Sequence, residues 1–243
     1  MSDLEEFKLN VGHYGFSATR LEDLGASEYC LATIICDDSS SVENFRNEME
    51  TCVKNAVEAC KKSPRADNMM IRVCTFSDGF HEVHGFKQLQ LIKPSDYDGM
   101  LGRGGMTALC DACDNGVRAT STYGRSLLEN DYSVNGIVFV ITDGAENKSK
   151  LKTNNVREAL KDATRQENLE SLISILIGVN LGHDPNLKAV LDAFHKEAGF
   201  TEFVALDDAD AKTLAKLGQW ISKSVSSQGQ AIGSGGPSKV LTF

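Results

Sequence analysis

Oxygen-bearing side chains occur in three short segments of the sequence, and their types and spacing suit a hard metal ion. Residues 37–41 form a D-x-S-x-S string, a glycine-rich segment leads into Thr107, and residues 142–144 read Thr-Asp-Gly. Magnesium prefers oxygen ligands, whereas zinc is more often bound by histidine and cysteine. The pattern therefore predicts a Mg²⁺ (or Mn²⁺) site, and its five ligands are Asp37, Ser39, Ser41, Thr107 and Asp143.

The chemistry expected of this site is ligand binding by an ion that keeps part of its charge. Ser39 and Ser41 are two residues apart, so an extended turn can point both hydroxyls in one direction with Asp37 behind them. Hydroxyls are neutral ligands, and if both aspartates act mainly through water, the ion retains much of its positive charge. A six-coordinate ion held in this way has a position open to an oxygen from outside.

Alternating strand and helix patterns are expected to position these three segments. Uninterrupted apolar, β-branched runs predict buried strands, and apolar residues that recur at three and four positions predict amphipathic helices. The predicted strands cover residues 29–36, 69–76, 80–83, 135–142, 172–179 and 201–206. The predicted helices cover residues 42–62, a segment from about 107, a segment around 156–163, residues 185–199 and residues 214–225.

This alternation indicates the α/β class, with a Rossmann-like, mostly parallel sheet of about six strands and helices on both faces. The short strand at residues 80–83 is expected to lie antiparallel at an edge. Ligands of such sheets bind at the carboxyl ends of the strands, where the oxygen-bearing segments fall. We expect one domain at residues 29–225, with residues 1–28 as an extension packed on it and residues 226–243 as a flexible tail.

Composition and charge restrict the classes of binding partner and the cellular compartment that we expect for this protein. The net charge of −9 argues against broad contact with nucleic acid, which needs a basic surface. No apolar run reaches the roughly 18 residues of a membrane span, and the first ten residues are unlike a signal peptide. The seven cysteines lie mostly in apolar stripes, as reduced thiols do, so we expect a cytoplasmic protein.

The three segments together resemble the von Willebrand factor A (vWA) family. The D-x-S-x-S, Gly-Gly-x-Thr-x-Leu and Thr-Asp-Gly elements occur there in this order and strand context, and the similarity covers roughly residues 29–225. In that family the five matching positions form the metal-ion-dependent adhesion site (MIDAS), which usually binds magnesium. The resemblance implies an intracellular protein-interaction module whose ion binds a Glu or Asp of a protein partner. The intact site and the start of the first strand at Tyr29 are similar to small stand-alone members of bacteria and their phages.

Two residues of the first segment depart from the family pattern. Many members have glycine at the position of Ser40, and often another residue at the position of Asp38. Asp38 is expected to add negative charge near the ion and to weaken its attraction for an acidic partner.

Other candidate residues have simpler interpretations. The single C-x-x-C pair, Cys110 and Cys113, lies on a helix whose inner face needs packing, so core packing is favoured over redox or zinc chemistry. His81 and His84 lack an acidic cluster and are expected to be exposed or packed at a sheet edge. A basic run follows the third segment and is either a solvated loop or an attractor for an acidic ligand; it comprises Lys148, Lys150 and Lys152.

Several functions remain open beside the interaction module. A structural or scaffold role in a phage particle or multisubunit assembly, and an adaptor role beside a ring-shaped ATPase, both fit the resemblance. An enzyme is disfavoured because no His or Lys base accompanies Ser39 or Ser41 in the motif. Self-association is left open, and the terminal pentapeptide, residues 239–243, is either a frayed end or a strand that adds to an exposed sheet edge.

Overall fold

The computed structural model describes residues 4–9, 14–165, 169–232 and 240–243, and within them eight strands form one sheet. The strands are β1 (Leu4–Phe7), β2 (Phe16–Thr19), β3 (Glu28–Asp37), β4 (Met69–Phe76), β5 (Phe80–Gln88), β6 (Ser133–Thr142), β7 (Ser171–Gly178) and β8 (Glu202–Ala205). Their order across the sheet is β1-β2-β5-β4-β3-β6-β7-β8. β1 is antiparallel to β2 and β5 to β4, and the other neighbouring pairs are parallel. The α/β class with a mostly parallel sheet is confirmed.

Within the same described ranges, five α-helices cover the two faces of this sheet. They are α1 (Arg46–Lys61), α2 (Leu109–Leu128), α3 (Thr153–Arg165), α4 (Pro185–Ala198) and α5 (Ala211–Ala231). α1 and α5 pack together on one face, and α2, α3 and α4 pack side by side on the other. The strands β3, β4 and β6 are buried on both faces because each is an almost unbroken apolar run between the two layers. None of the helices in the described ranges is long and apolar enough to cross a membrane.

The N-terminal segment belongs to the sheet, which has eight strands rather than the expected six or so. β2 lies beside β5, with Ala18 opposite Phe86, so β5 is antiparallel as expected but is not an edge strand. Gly85 permits this approach, because a Cβ atom there would lie 1.9 Å from the carbonyl oxygen of Ser17. β1 and β2 are only four residues long and polar in part, so the sequence pattern did not show them.

The C-terminal segment also contributes more structure than expected. α5 continues to Ala231, past the predicted end at residue 225, because Gln228 and Gly229 still lie on its buried face. Residues 233–239, part of the predicted tail, lie outside the described residues. The last residues return to α5, where the Trp220 indole Nε1 donates a hydrogen bond of 2.9 Å to the Leu241 carbonyl oxygen. Residues 240–243 therefore form no strand within this chain, and their apolar side chains contact α5.

Candidate metal centre

The three oxygen-bearing segments meet at the carboxyl ends of the central strands. Asp37 is the last residue of β3, and Asp143 directly follows β6. These strands are parallel neighbours with Cys36 opposite Ile141, so the two aspartates emerge side by side at one edge of the sheet. Thr107 lies in the loop that precedes α2. Parallel strand pairing thus brings together residues that are about seventy to a hundred positions apart in the sequence.

A continuous chain of hydrogen bonds links four of the five predicted ligands. The Ser39 backbone N–H donates to Asp37 Oδ1 at 2.8 Å, and the hydroxyls of Ser39 and Ser41 are 3.1 Å apart. The Ser41 hydroxyl donates to Asp143 Oδ1 at 2.7 Å. The first and third segments therefore contact each other directly through side-chain oxygens.

Thr107 joins the same group through the space beside Gly144. A Cβ atom on this glycine would lie 3.0 Å from Thr107 Oγ1 and 3.8 Å from Asp37 Oδ2. The Thr107 hydroxyl and the Asp37 carboxylate therefore face one small gap, which a side chain at position 144 would fill. The structure thus places all five predicted residues together, and their role as metal ligands stays a prediction.

The two carboxylates of the site are buried without a basic partner. Asp37 is fully buried and Asp143 is 8% exposed. Burial raises the pKa of Asp37 to about 6, although hydrogen bonds from Thr142 and Ser39 oppose that change. Burial likewise raises the pKa of Asp143. In the described ranges no basic side chain offsets either charge. Ser41 is exposed, so solvent reaches the site on its side.

Two further residues support the site, and the sequence analysis did not identify them. The Thr142 hydroxyl donates to Asp37 Oδ2 at 2.6 Å and so holds the second oxygen of that carboxylate. Glu146 accepts hydrogen bonds from the backbone N–H groups of Cys110 at 2.6 Å and Ser149 at 2.6 Å. It therefore fixes the loop after β6 to the start of α2. The partner at Cys110 is 36 positions away, so no local spacing could have indicated this contact.

Asp38 and Ser40, the departures from the family pattern, tie the first segment to the glycine-rich loop. The Asp38 carboxylate is buried, accepts hydrogen bonds from the backbone of Gly102 and Arg103, and forms an ion pair of 3.2 Å with the Arg103 guanidinium. The expected excess negative charge is therefore neutralised by Arg103. The Ser40 hydroxyl accepts from the Gly105 N–H at 3.0 Å, and the Ser40 N–H donates to the Gly105 carbonyl at 3.1 Å.

The remaining candidates lie outside this site. Cys110 and Cys113 are buried free thiols, and in the described ranges no three His, Cys, Asp or Glu side chains group around a common metal position. The five residues predicted as ligands include only two carboxylates, Asp37 and Asp143, so they do not form such a group. His84 is buried rather than exposed, and its strand β5 is not at the sheet edge because β2 pairs with it. Its Nε2 lies 2.8 Å from the Tyr97 hydroxyl. Lys148 of the basic run lies 3.9 Å from Asp78, at the loop after β4.

Comparison with known proteins identifies the fold but no family. No family model matches the chain, and no curated protein matches it. The PilB minor pilin of Streptococcus sanguinis superposes with a TM-score of 0.55 and 14% identity, over 95% of this chain and 69% of the pilin. The open form of the pilus adhesin SpaC of Lactobacillus rhamnosus GG gives a TM-score of 0.58 and 14% identity, over 92% of this chain and 33% of the adhesin.

A third similar structure is proximal thread matrix protein 1 of the mussel byssus, described with a zinc-occupied MIDAS motif. It gives a TM-score of 0.52 and 19% identity, over 82% of this chain and 46% of that protein. The chain thus spans a half or less of this protein and of the adhesin. At such identities the likeness concerns the fold alone, and the fold of this chain is vWA-like.

Proposed function

We propose that this chain is a protein-interaction module that binds Mg²⁺ (or Mn²⁺) and, through the ion, a Glu or Asp of a protein partner. The observation that carries the proposal is the convergence of five oxygen-bearing side chains from three loops at the carboxyl edge of the sheet. The proposed ligands are Asp37, Ser39, Ser41, Thr107 and Asp143.

The electrostatics of the site favour a bound cation. Two carboxylates are buried close together, and burying a charge is unfavourable unless it is paired. A divalent ion would supply the missing positive charge. Hydroxyl and carboxylate oxygens suit Mg²⁺ or Mn²⁺ better than zinc, which more often takes nitrogen and sulfur ligands. The zinc-occupied motif in the byssus protein supports a divalent ion on this fold, with the identity of the metal left to the donor chemistry.

Binding explains the serines better than catalysis does. Ser39 and Ser41 contact each other and the two aspartates, and in the described ranges no His or Lys contacts either hydroxyl. An activated serine needs such a base within hydrogen-bond reach. We therefore propose a non-enzymatic role. We further propose a reducing, cytoplasmic setting, which is supported by the seven cysteines, all buried as free thiols.

Direct titration tests the metal site. Calorimetric titration of the purified chain with Mg²⁺, and electron paramagnetic resonance with Mn²⁺, should show one ion per chain. Ser39→Ala and Thr107→Ala each remove one hydroxyl ligand and should weaken binding at least several-fold while preserving the circular dichroism spectrum. Ser126→Ala, on the outer part of α2, is the matched control and should leave the titration unchanged. A wild-type chain that binds neither ion at millimolar concentration would refute the proposal.

A second titration tests the ligand of the ion. A blocked peptide with one glutamate should shift amide resonances of the first segment, residues 37–41, in the presence of Mg²⁺ and not in the presence of a chelator. The same peptide with glutamine in place of glutamate is the control. Equal shifts from both peptides, or shifts that persist in chelator, would place the interface elsewhere.

A further inference from the structure

A small cleft opens directly beside the proposed metal site. It has a volume of about 140 Å³, and its walls come from the first segment, the glycine-rich loop and the start of α1. Ser39, one of the proposed ligands, and Ser40 form part of its wall, and Arg46 and Arg103 form other parts. This space is large enough for a carboxylate group together with water.

Arg46 is held in place but has a weak partner. It is the first residue of α1, and its Nη1 would lie 2.7 Å from a Cβ atom on Gly102, so the guanidinium packs on the bare backbone of the glycine-rich loop. In the described ranges its one ion pair joins Nη2 to Glu43 Oε1 at 3.8 Å, and the Glu43 side chain is 74% exposed. Exposed ion pairs of this kind contribute little to stability, and water readily replaces the partner of each charge.

Arg103 forms another part of the cleft wall. Its Nη1 contacts the Asp38 carboxylate at 3.2 Å, the Met100 carbonyl oxygen at 2.9 Å and the Thr75 hydroxyl at 3.3 Å. These contacts fix the guanidinium and neutralise the one buried carboxylate of the cleft. The only other acidic side chain lining it is Glu43, which is exposed and loosely paired. An incoming anion would therefore meet little buried negative charge.

We infer that this cleft takes a second carboxylate from the same partner segment, so that the chain recognises a diacidic peptide. The inference rests on the proposed function, because the first carboxylate must bind the ion. A guanidinium binds a carboxylate through two parallel hydrogen bonds, which Arg46 can offer once Glu43 swings into solvent. Glu43 is thus a built-in competitor for the cleft.

The glycine-rich loop passes both the first segment and Arg46. Ser40 Oγ would lie 3.3 Å from a Cβ atom on Gly104, and Arg46 contacts Gly102, two residues earlier in the loop. An extended peptide places alternate side chains on one face about 6.6 Å apart. Peptides that differ in the spacing of their two acids therefore measure the separation that fits.

Blocked glycine peptides test this inference. One peptide carries a single glutamate, and three others carry two glutamates separated by zero, one or two glycines. Their affinities are measured by amide chemical shifts in saturating Mg²⁺ and in chelator. The best diacidic peptide should bind the wild-type chain about tenfold tighter than the single acid, as expected for one charged hydrogen-bonded pair.

Three variants separate the cleft from the ion and from net charge. Arg46→Gln should abolish the preference for two acids and leave the Mg²⁺-dependent binding of the single acid, whereas Glu43→Gln should strengthen the preference. Arg20→Gln is the matched control: its ion pair with Glu22 is similarly exposed, and it follows β2 at the opposite end of the sheet. It should change nothing.

Each outcome bears on one of the two proposals. If the single acid binds with Mg²⁺ and the diacidic peptides bind no tighter, the cleft inference is wrong and the metal-dependent function stands. The same holds if Arg46→Gln and Arg20→Gln weaken all the peptides equally, since net charge would then explain the effect. If no peptide binds in a Mg²⁺-dependent way, the proposed function itself fails.

Discussion

Replacing Asp143 by asparagine should change the stability of the protein in opposite directions with and without metal. The substitution preserves the shape of the side chain, and its Oδ1 can still accept the hydrogen bond of 2.7 Å from the Ser41 hydroxyl. It removes one of two buried negative charges, and the charge of Asp143 is among the causes that raise the pKa of Asp37. In chelator we therefore expect Asp143→Asn to be at least as stable as the wild type.

In Mg²⁺ the wild type should be more stable than Asp143→Asn. A ligand that binds only the folded state stabilises it by about 2.7 kcal/mol at a hundredfold excess over its dissociation constant. For a chain of 243 residues this corresponds to a rise in melting temperature of about 5 to 10 °C. The asparagine variant lacks an anionic ligand and should show little of this rise.

Differential scanning calorimetry in Mg²⁺ and in chelator measures both effects. Asp162→Asn is the matched control, because this half-exposed aspartate of α3 lies 3.9 Å from Arg118, away from the site, and its loss should not alter the metal response. The reasoning is refuted if Asp143→Asn retains the full response to Mg²⁺. It is also refuted if the variant melts well below the wild type in chelator.

Three further predictions concern the frame around the site. Gly85→Ala places a Cβ atom 1.9 Å from the Ser17 carbonyl oxygen and should lower the free energy of unfolding by about 1–3 kcal/mol in urea titrations. Burial lowers the pKa of His84 to about 4. The neutral imidazole therefore stabilises the fold fully above pH 6.5, the usual pKa of histidine. As the pH falls from 6.5 to 4, up to about 3 kcal/mol of this stabilisation is lost. The stability lost on His84→Asn should therefore shrink between pH 7 and pH 4.5. Deletion of residues 240–243 should expose Trp220, the single tryptophan, shift its fluorescence to longer wavelength and lower the melting temperature by a few degrees.

Each of these predictions has a control and an excluding result. Gly25→Ala, where a Cβ atom would meet nothing within 4 Å, should leave stability nearly unchanged; an equal loss at both glycines would rule out the clash. His183→Asn, at an exposed position, should give the same difference from the wild type at both pH values. A pH-independent effect of His84→Asn would contradict the role of burial. Unchanged fluorescence after the deletion would show that the last residues do not cover Trp220.

The sequence predicts best the parts whose chemistry is local. The strand at Met69–Phe76 has the predicted bounds, because its residues apart from Arg72 form a mostly apolar run of the kind that is buried on both faces of a sheet. The convergence of the five oxygen-bearing residues could be predicted because each lies in a segment that follows a strand or precedes a helix and has a recognisable local pattern. Their mutual placement follows from parallel pairing, which the alternation of strands and helices already implies.

The parts that could not be predicted depend on contacts between distant segments. β2 has one residue paired with β5, Ala18 opposite Phe86, and so too short a pattern to be recognised as a strand. From its position in the first segment alone, the Asp38 side chain is expected to lie near the ion. Its orientation is decided by the backbone of Gly102 and Arg103, 64 and 65 residues away. Such contacts leave no periodic trace in the sequence.

The short strands at the N-terminus have a practical consequence for aggregation. β5 is nine residues long, and β2 and β1 stand between it and solvent. A chain that began at residue 29, the expected start of the domain, would lack β1 and β2. β5 would then be the edge strand of the sheet, with unpaired backbone groups and with Phe86 uncovered beside it. A long open margin of this kind recruits strands from other molecules. β1 and β2 therefore cover this edge, and we expect a chain without them to self-associate more readily than the full chain.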